Sequence, residues 1–208
     1  MIKYLKLLRV EQWVKNFFVF IPLFFSGNIT HPNFFVKSVF AFIVFSLIAS
    51  SIYILNDYKD IEADQKHPEK KDRPLANGSI SKTTALFLFT TLISAVAMLV
   101  FFGQEYFHKN LWKFAVIIGS YFIMNLAYTF RLKHVAIVDI FIIAIGFVLR
   151  VLAGGYATGI KISQWAILLT FVLALVLAVG KRRGELINAA ISGKTRKALD
   201  GYNVQFAD

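Results

Sequence analysis

Three aspartates in the first half of the chain are spaced as ligands of one metal ion would be. Asp57, Asp60 and Asp64 lie three and four residues apart, so they share one face if the preceding apolar helix continues to about residue 66. Three like charges on one face repel one another unless a cation lies between them. Mg²⁺ typically takes one or two carboxylates and completes its octahedron with water and substrate phosphates. The spacing therefore predicts a magnesium site.

Polar residues on both sides of the aspartates extend this pattern towards a diphosphate. Asn56 begins the run, and Lys70 and Arg73 follow it at helical or turn spacing. A metal held by carboxylates and flanked by cations binds a diphosphate leaving group and stabilises its developing charge. The alternative is an ordinary solvated loop of mixed charge. We favour the metal site because the three acids share one register directly beside an apolar block.

The composition places this loop at a membrane. Hydrophobic residues make up 57% of the 208 positions, and the mean hydropathy is +0.62, above the range of ordinary soluble domains. The apolar residues are grouped in blocks long enough to span a bilayer, and a lipid-exposed backbone must be helical. We predict an all-α, polytopic transmembrane bundle of about six spans, near 14–29, 34–55, 83–103, 111–130, 135–157 and 163–180.

The net charge of +11 reflects membrane topology more than nucleic-acid binding. Eighteen of the 23 lysines and arginines fall on one side of the predicted spans, four fall on the other, and Arg150 lies inside a span. Such asymmetry places the basic side in the cytosol. We therefore predict that the N-terminus and the long loops near 56–82 and 181–202 are cytosolic. The absence of cysteine excludes disulfides and thiolate metal sites.

Several motifs together resemble one enzyme superfamily. The segment Asn56-Asp57-x-x-Asp60-x-x-x-Asp64 is similar to the first aspartate-rich motif of the UbiA superfamily of intramembrane prenyltransferases. Its continuation, His67-Pro-x-Lys70-x-x-Arg73-Pro, resembles the decaprenyl-phosphate phosphoribosyltransferase branch. Four further stretches agree with that branch: Leu8-Arg9-x-x-Gln12-Trp13-Val14-Lys15-Asn16, Tyr128-Thr-Phe-Arg-Leu132-Lys133 with Asp139, Gly146-Phe-Val-Leu-Arg150-x-x-Ala-Gly-Gly155, and Ala178-x-Gly-Lys181-Arg182-x-x-Glu185-Leu186.

The resemblance implies a single UbiA-like transmembrane domain over residues 1–208, in an inner membrane. It implies Mg²⁺ as the cofactor, phosphoribosyl diphosphate as the donor and a polyprenyl phosphate in the membrane as the acceptor. A second aspartate-rich motif, typical of the superfamily's prenyltransferases, is missing after Asp139, which favours the phosphoribosyl donor. The alternatives are a UbiA-type prenyltransferase that uses a polyprenyl diphosphate, and a non-catalytic protein that binds anionic lipid.

The resemblance also implies that the family's bundle contains more helices than this sequence provides. We therefore expect a C-terminally incomplete bundle, and weak or no activity of the isolated chain.

Other polar residues near the predicted spans are candidates for substrate binding. Lys15 and Asn16 lie where the first span meets the cytosol, and the resemblance favours contact with a substrate phosphate over a topogenic lysine. Arg150 is costly inside a span and is a functional candidate for that reason. We expect it to contact phosphate or line the pocket, and the alternative is a structural pair with Asp139. The remaining candidates flank later loops: Tyr128, Lys133, Lys181, Arg182 and Glu185.

Overall fold

The computed structural model describes residues 2–107, 111–132 and 135–192. These residues form α-helices and one long 3₁₀ helix and contain no strand, which confirms the predicted all-α class. In chain order, the elements are α1 (Ile2–Leu8), the 3₁₀ helix (Val10–Phe20), α2 (Ile21–Phe25), α3 (Pro32–Lys59), α4 (Ile61–Gln65), α5 (Lys82–Phe107), α6 (Leu111–Phe130), α7 (Val138–Thr158) and α8 (Gln164–Ser192).

Long apolar helices account for most of the predicted spans. Within the described ranges, five helices are long and apolar enough to cross a membrane. They match the second to sixth predicted blocks, and the protein is an integral membrane protein. These segments are Pro32–Lys59, Lys82–Gly103, Leu111–Phe130, Val138–Thr158 and Gln164–Ile187.

The first predicted span, 14–29, differs from a single α-helix. It consists of the end of the 3₁₀ helix followed by α2 and a turn, and Pro22 at the start of α2 cannot continue the hydrogen-bond pattern of the preceding residues. Eleven residues of 3₁₀ helix rise about 22 Å and five of α-helix about 7 Å. The whole 3₁₀ helix, which begins four residues before the predicted span, and α2 have a combined length of about 30 Å, the thickness of a hydrocarbon core.

Two helices form the centre of the bundle. α3 and α7 bury most of their apolar residues, whereas α5 and α8 leave most of theirs exposed to the surroundings of the protein. α3 packs against α5, α6 and α7, and α7 also packs against α8. Four buried serines, Ser38, Ser46, Ser50 and Ser51, lie on α3, and small residues of this kind allow membrane helices to approach closely.

The ends of α3 and α6 are joined by a lysine. The Lys59 ammonium donates to the carbonyl oxygens of Thr129 at 2.8 Å and Phe130 at 3.0 Å. These carbonyls lie in the last turn of α6, where helix carbonyls lack intrahelical partners and carry partial negative charge. The contact fixes the C-terminal ends of both helices at the same end of the bundle. Because Asp57 lies two residues before Lys59, we call this the aspartate end.

The backbones of α7 and the 3₁₀ helix approach each other closely at Gly154. A Cβ atom added to Gly154 would lie 1.8 Å from the carbonyl oxygen of Val19. That distance is far below van der Waals contact, and the neighbouring atom is backbone, so a side chain at this position would force the two elements apart. Glycine at position 154 is therefore needed for the 3₁₀ helix to lie against α7.

We predict that Gly154→Ala destabilises the protein by about 1–3 kcal/mol, the usual cost of overpacking. The measurement is thermal unfolding in detergent, followed by size-exclusion chromatography. Gly119→Ala is the matched control, because Gly119 is also within a helix but a Cβ there meets nothing within 4 Å. Equal midpoints for the two variants would contradict this account of the packing.

Candidate functional site

The predicted aspartate run lies where α3 passes into α4. α3 ends at Lys59, and Asp60 leaves regular helical geometry at φ −97° and ψ 12°. The chain nevertheless keeps helical spacing, because the Asp60 amide donates to the Asn56 carbonyl and the Asp64 amide donates to the Asp60 carbonyl. Asp57 and Asp64 are consequently buried on the same side, while Asp60 between them is half-buried. Asp57 and Asp64 therefore share a face across the break.

Arg73 joins the two buried carboxylates. Its Nη1 atom lies 3.2 Å from Asp57 Oδ1 and 2.6 Å from Asp64 Oδ2. The segment after α4 folds back to bring Arg73 there, and Gln65 holds the return by donating to the Ala76 carbonyl at 3.1 Å. One cation shared by two buried carboxylates is a strong, charge-assisted arrangement. Three residues predicted for the site, two acids and one arginine, are thus brought together.

A second arginine, absent from the predicted site, contacts the same aspartate. Arg9 Nη2 lies 2.5 Å from Asp57 Oδ1, and its guanidinium lies 4.9 Å from the centre of the Tyr53 ring. The Arg9 backbone is left-handed, with φ 49° and ψ 50°, a conformation uncommon outside glycine and asparagine. In the sequence, Arg9 is one of the eighteen basic residues on the predicted cytosolic side. It also belongs to the Leu8-Arg9-x-x-Gln12 stretch that resembles the phosphoribosyltransferase branch.

An open cleft of about 480 Å³ lies beside these ion pairs. Its volume falls in the range of small-molecule sites. Three basic and four acidic side chains line it, and four of the lining residues come from the N-terminal segment before residue 13. None of these four was among the predicted site residues. The lining residues are Lys6, Arg9, Glu11, Gln12, Asp57, Glu69, Asp72, Arg73 and Pro74. The cleft therefore combines cations for phosphate groups with a buried carboxylate.

Two predicted loop residues contribute less directly. Lys70 is half-buried and lies outside the lining of the cleft, although its neighbours Glu69 and Arg73 line it. The Lys70 carbonyl accepts from the Arg73 amide at 3.0 Å, so its backbone helps to set the turn. Asn56 likewise supplies a backbone carbonyl to the Asp60 amide. Side-chain contact of either residue with a substrate stays a prediction.

Arg150 and Asn16 lie together inside the bundle. Arg150 Nε donates to Asn16 Oδ1 at 2.9 Å, and Asn16 Nδ2 donates to Ser46 Oγ at 3.0 Å. The alternative pairing of Arg150 with Asp139 is not formed, since Asp139 lies beside Arg182 instead, with 3.5 Å between carboxylate and guanidinium. Arg150 and Asn16 are outside the cleft lining. Their predicted contact with phosphate is untested.

Lys15, in the 3₁₀ helix, and Lys181, in the second half of α8, are exposed. Lys15 is within electrostatic range of Lys181, Arg150 and Arg9. The 3₁₀ helix and the second half of α8 therefore bring predicted cations towards one another. Neither lysine lines the cleft, and their predicted roles in substrate binding remain predictions.

A separate group forms between the end of α6 and the second half of α8. The Arg182 guanidinium donates to Glu185 Oε2 at 2.8 Å, and Arg182 is buried. Tyr128 lies within electrostatic range of Arg182, Asp139 and Glu185. These predicted residues therefore cluster with each other and not with Asp57. Lys133 and the part of the predicted 181–202 loop after residue 192 lie outside the described residues.

Comparisons with known proteins identify the family of this chain. A model of the UbiA prenyltransferase family matches residues 17–180. The chain belongs to this family. A UbiA homolog from Archaeoglobus fulgidus bound to GPP and Mg²⁺ has the same fold, with a TM-score of 0.74 at 19% sequence identity, covering 99% of this chain and 71% of the other. The predicted UbiA-like helical fold is thereby confirmed.

Curated members of the UbiA family are more similar in sequence. A decaprenyl-phosphate phosphoribosyltransferase from Mycolicibacterium smegmatis is 40% identical over 97% of this chain and 63% of its own length. Another from Corynebacterium glutamicum is 37% identical over 95% of this chain and 59% of its own length. The chain thus spans about three-fifths of the length of these curated relatives. These matches confirm the resemblance that the motifs indicated.

The carboxylates of this UbiA chain fit a divalent cation in part. Among the described residues, no group of three or more acidic, histidine or cysteine side chains is close enough to hold a metal, so a cluster of all three aspartates is not formed. Asp57 and Asp64, however, already share one cation, Arg73. Two carboxylates are within the number that Mg²⁺ takes from a protein when substrate phosphates and water complete its shell.

We predict that Arg73→Ala loosens the segment after α4. The change leaves Asp64 without the guanidinium that Asp57 shares with it, at a cost of about 1–3 kcal/mol for buried groups losing a partner. We expect a glutamate-specific protease to cleave the variant after Glu69 at least about five times faster than the parent chain, because local opening limits the rate of cleavage. Lys71→Ala is the control, because Lys71 is exposed in the same segment. Equal cleavage rates would show that Arg73 does not hold the segment.

Proposed function

We propose that this chain carries the phosphoribosyltransferase activity named for its curated relatives. The reaction is Mg²⁺-dependent transfer of 5-phosphoribose from phosphoribosyl diphosphate to a polyprenyl phosphate. The observation that carries the proposal is 37–40% identity to three such enzymes over 95–97% of the chain. We place residues 1–208 in the inner membrane as one domain, with the N-terminus and the loops 56–82 and 181–202 in the cytosol. That orientation rests on the one-sided distribution of basic residues.

The charges of the cleft support a donor that carries several phosphate groups. Lys6, Arg9 and Arg73 line the cleft beside Asp57, and guanidinium groups bind phosphate oxygens in bidentate geometry. Phosphoribosyl diphosphate presents a diphosphate on C1 and a separate phosphate on C5, so it needs cations in more than one place. Lys6, Arg9 and Arg73 would supply these cations, and Mg²⁺ would offset charge on the acidic side chains that also line the cleft.

Asp57 and Asp64 would hold Mg²⁺, and the role of Asp60 as a third ligand stays a prediction. When bound, the metal would neutralise charge on the leaving diphosphate. Arg73 lies against both carboxylates and Arg9 against one of them, so both arginines are in place to contact the same diphosphate. Burial of the two carboxylates excludes water from this side of the site and strengthens these interactions.

The transfer needs little from the protein besides positioning and charge. The bond from C1 of the ribose to the diphosphate oxygen breaks, and the electron pair leaves with the diphosphate. A polyprenyl-phosphate oxygen forms the new bond to C1, which carries positive charge in the transition state. Because this oxygen is already anionic, the step requires no strong general base. Holding donor and acceptor in line accounts for much of the rate enhancement.

We predict that membranes containing the chain transfer labelled phosphoribose to added polyprenyl phosphate at a low but measurable rate, in keeping with the weak activity expected of the isolated chain. Asp64→Asn is expected to lower the rate roughly 100-fold or more, because it removes a carboxylate that would hold the Mg²⁺ at the leaving diphosphate. Glu62→Gln is the matched control, since Glu62 is an exposed acid two residues away. A product formed only from prenyl diphosphate and an aromatic acid would favour the prenyltransferase alternative and contradict the proposal.

We also predict that binding of the donor depends on magnesium. Without the metal, the carboxylates of Asp57 and Asp64 repel the diphosphate. A chelator should therefore lower the affinity of detergent-purified protein for labelled phosphoribosyl diphosphate, and added Mg²⁺ should restore it. Asp57→Asn should bind weakly and respond little to Mg²⁺, whereas Glu62→Gln should respond as the parent does. Chelator-resistant binding by the parent chain would exclude the two-carboxylate magnesium site.

A further inference from the structure

The 3₁₀ helix that leads to the cleft depends on contacts with the rest of the bundle. It runs over eleven residues, Val10–Phe20, whereas 3₁₀ helices longer than three or four residues are uncommon because their hydrogen bonds are poorly aligned. The residues at its cleft end, Arg9 and Gln12, line the cleft. Whatever holds this helix in place therefore also sets the position of a cation beside Asp57.

A buried hydrogen-bond network holds the helix at its middle. Asn16 is 1% exposed and bridges two helices, accepting from Arg150 of α7 and donating to Ser46 of α3. Arg150 also donates to the Gly146 carbonyl at 2.8 Å and to the Tyr121 hydroxyl at 3.2 Å. We call these five residues the Asn16 network. It links the 3₁₀ helix to α3, α6 and α7.

The surroundings of Arg150 separate it from the cleft. Each of its three guanidinium nitrogens donates a hydrogen bond within the network. The guanidinium also lies 4.9–5.3 Å from the ring centres of Phe45, Tyr121 and Phe147, and ring faces attract a desolvated cation. Arg150 is 5% exposed. Its charge is therefore stabilised inside the bundle and is not directed at a phosphate.

Contacts on both sides of Asn16 make the 3₁₀ helix a relay to the cleft. Towards the cleft, Trp13 Nε1 donates to Ser50 Oγ at 3.0 Å, and that hydroxyl donates to the Leu8 carbonyl at 2.8 Å. On the other side, Val19 lies against Gly154. The three levels fix the helix along its length. Loss of the middle level would let Arg9 shift while its partner Asp57 stays on α3.

Charge interactions at Lys15 do not hold the 3₁₀ helix. Lys15, next to Asn16, is within electrostatic range of three cations, Arg9, Arg150 and Lys181, and like charges repel one another. The Asn16 network holds the helix with hydrogen bonds between buried groups, which are strong in a low-dielectric interior.

We propose that Asn16 and Arg150 are positioning residues, which hold Arg9 where the phosphoribosyl donor binds. This rests on the proposed function for the identity of the donor. The network does not touch the donor, and it acts by fixing the 3₁₀ helix. A displacement of about 1 Å in a catalytic site can lower the rate about 100-fold. A shift of Arg9 by that distance, after loss of the hydrogen bonds of Asn16, would therefore have a large effect.

The first measurement follows the 3₁₀ helix without using activity. The chain contains no cysteine, so Gln12→Cys introduces a single thiol at the cleft. We expect Asn16→Ala and Arg150→Lys to change the rate of labelling by a water-soluble maleimide severalfold. Ser46→Ala is a milder variant and should give a smaller change in the same direction. It keeps the experiment decisive if the other two variants fail to yield monodisperse protein.

Asn125→Ala is the matched control. Like Asn16, Asn125 is an asparagine within a predicted span. It is half-buried, and its side chain donates to the Tyr121 carbonyl of its own helix at 2.8 Å. We expect parental labelling rates for this variant. Unchanged labelling in Asn16→Ala, Arg150→Lys and Ser46→Ala would overturn the proposal, because the 3₁₀ helix would then be held without the network.

The second measurement separates positioning from direct phosphate contact. A positioning role predicts that Asn16→Ala, which keeps the Arg150 charge, raises the KM for phosphoribosyl diphosphate about tenfold or more, with a smaller change in kcat. Arg150→Lys should show the same pattern despite its retained charge. If Arg150→Gln loses donor binding while Asn16→Ala binds normally, Arg150 contacts phosphate and the proposal is wrong.

The two measurements also separate this inference from the proposed function. A chain that transfers no phosphoribose, yet shows the expected labelling changes, would contradict the reaction but support the positioning of the 3₁₀ helix. Normal transfer with parental labelling and parental KM in every variant would support the reaction and contradict the positioning role.

Discussion

A charge inside a membrane protein must be neutralised by the protein itself, because lipid offers neither water nor counterions. The fold of this chain follows from that requirement. Asp57 and Asp64 are neutralised by arginines from the N-terminal segment and from the returning loop, and Asp139 lies beside Arg182. The contacts of Asp57 with Arg9 and of Asp139 with Arg182 join segments that are more than forty residues apart in the chain. The polar groups thus determine how the helices are arranged, whereas the apolar surfaces alone would permit several packings.

Hydropathy was sufficient to predict the long helices and insufficient to predict the first one. The block 34–55 lies within α3 (Pro32–Lys59) and 111–130 coincides with α6 (Leu111–Phe130), because a span of that length can satisfy its backbone only as an α-helix. The block 14–29 is interrupted by Lys15, Asn16 and Pro22, and it begins in a 3₁₀ helix. Its geometry is imposed by Asn16 and by the close approach at Gly154. Such tertiary contacts leave no periodic trace in the sequence.

The candidate site was predictable where its members are close in sequence. Asp57, Asp64 and Arg73 lie within one loop, and their spacing was enough to expect that they meet. Arg9 is 48 residues from Asp57, so no spacing rule connects the two. The interaction of Asn16 with Arg150 spans 134 residues. Asn16 and Arg150 were both predicted as candidates for substrate binding, but the sequence pattern could not show that each is the other's partner.

The left-handed backbone of Arg9 places opposing demands on one position. Glycine or asparagine would adopt φ 49° and ψ 50° more easily, and relief of such strain commonly stabilises a protein by about 1 kcal/mol. Either replacement would remove the guanidinium that neutralises Asp57. Stability and electrostatics therefore cannot both be optimised at residue 9. An engineer who selects this protein only for thermostability would be drawn to a substitution that empties the cleft of one of its cations.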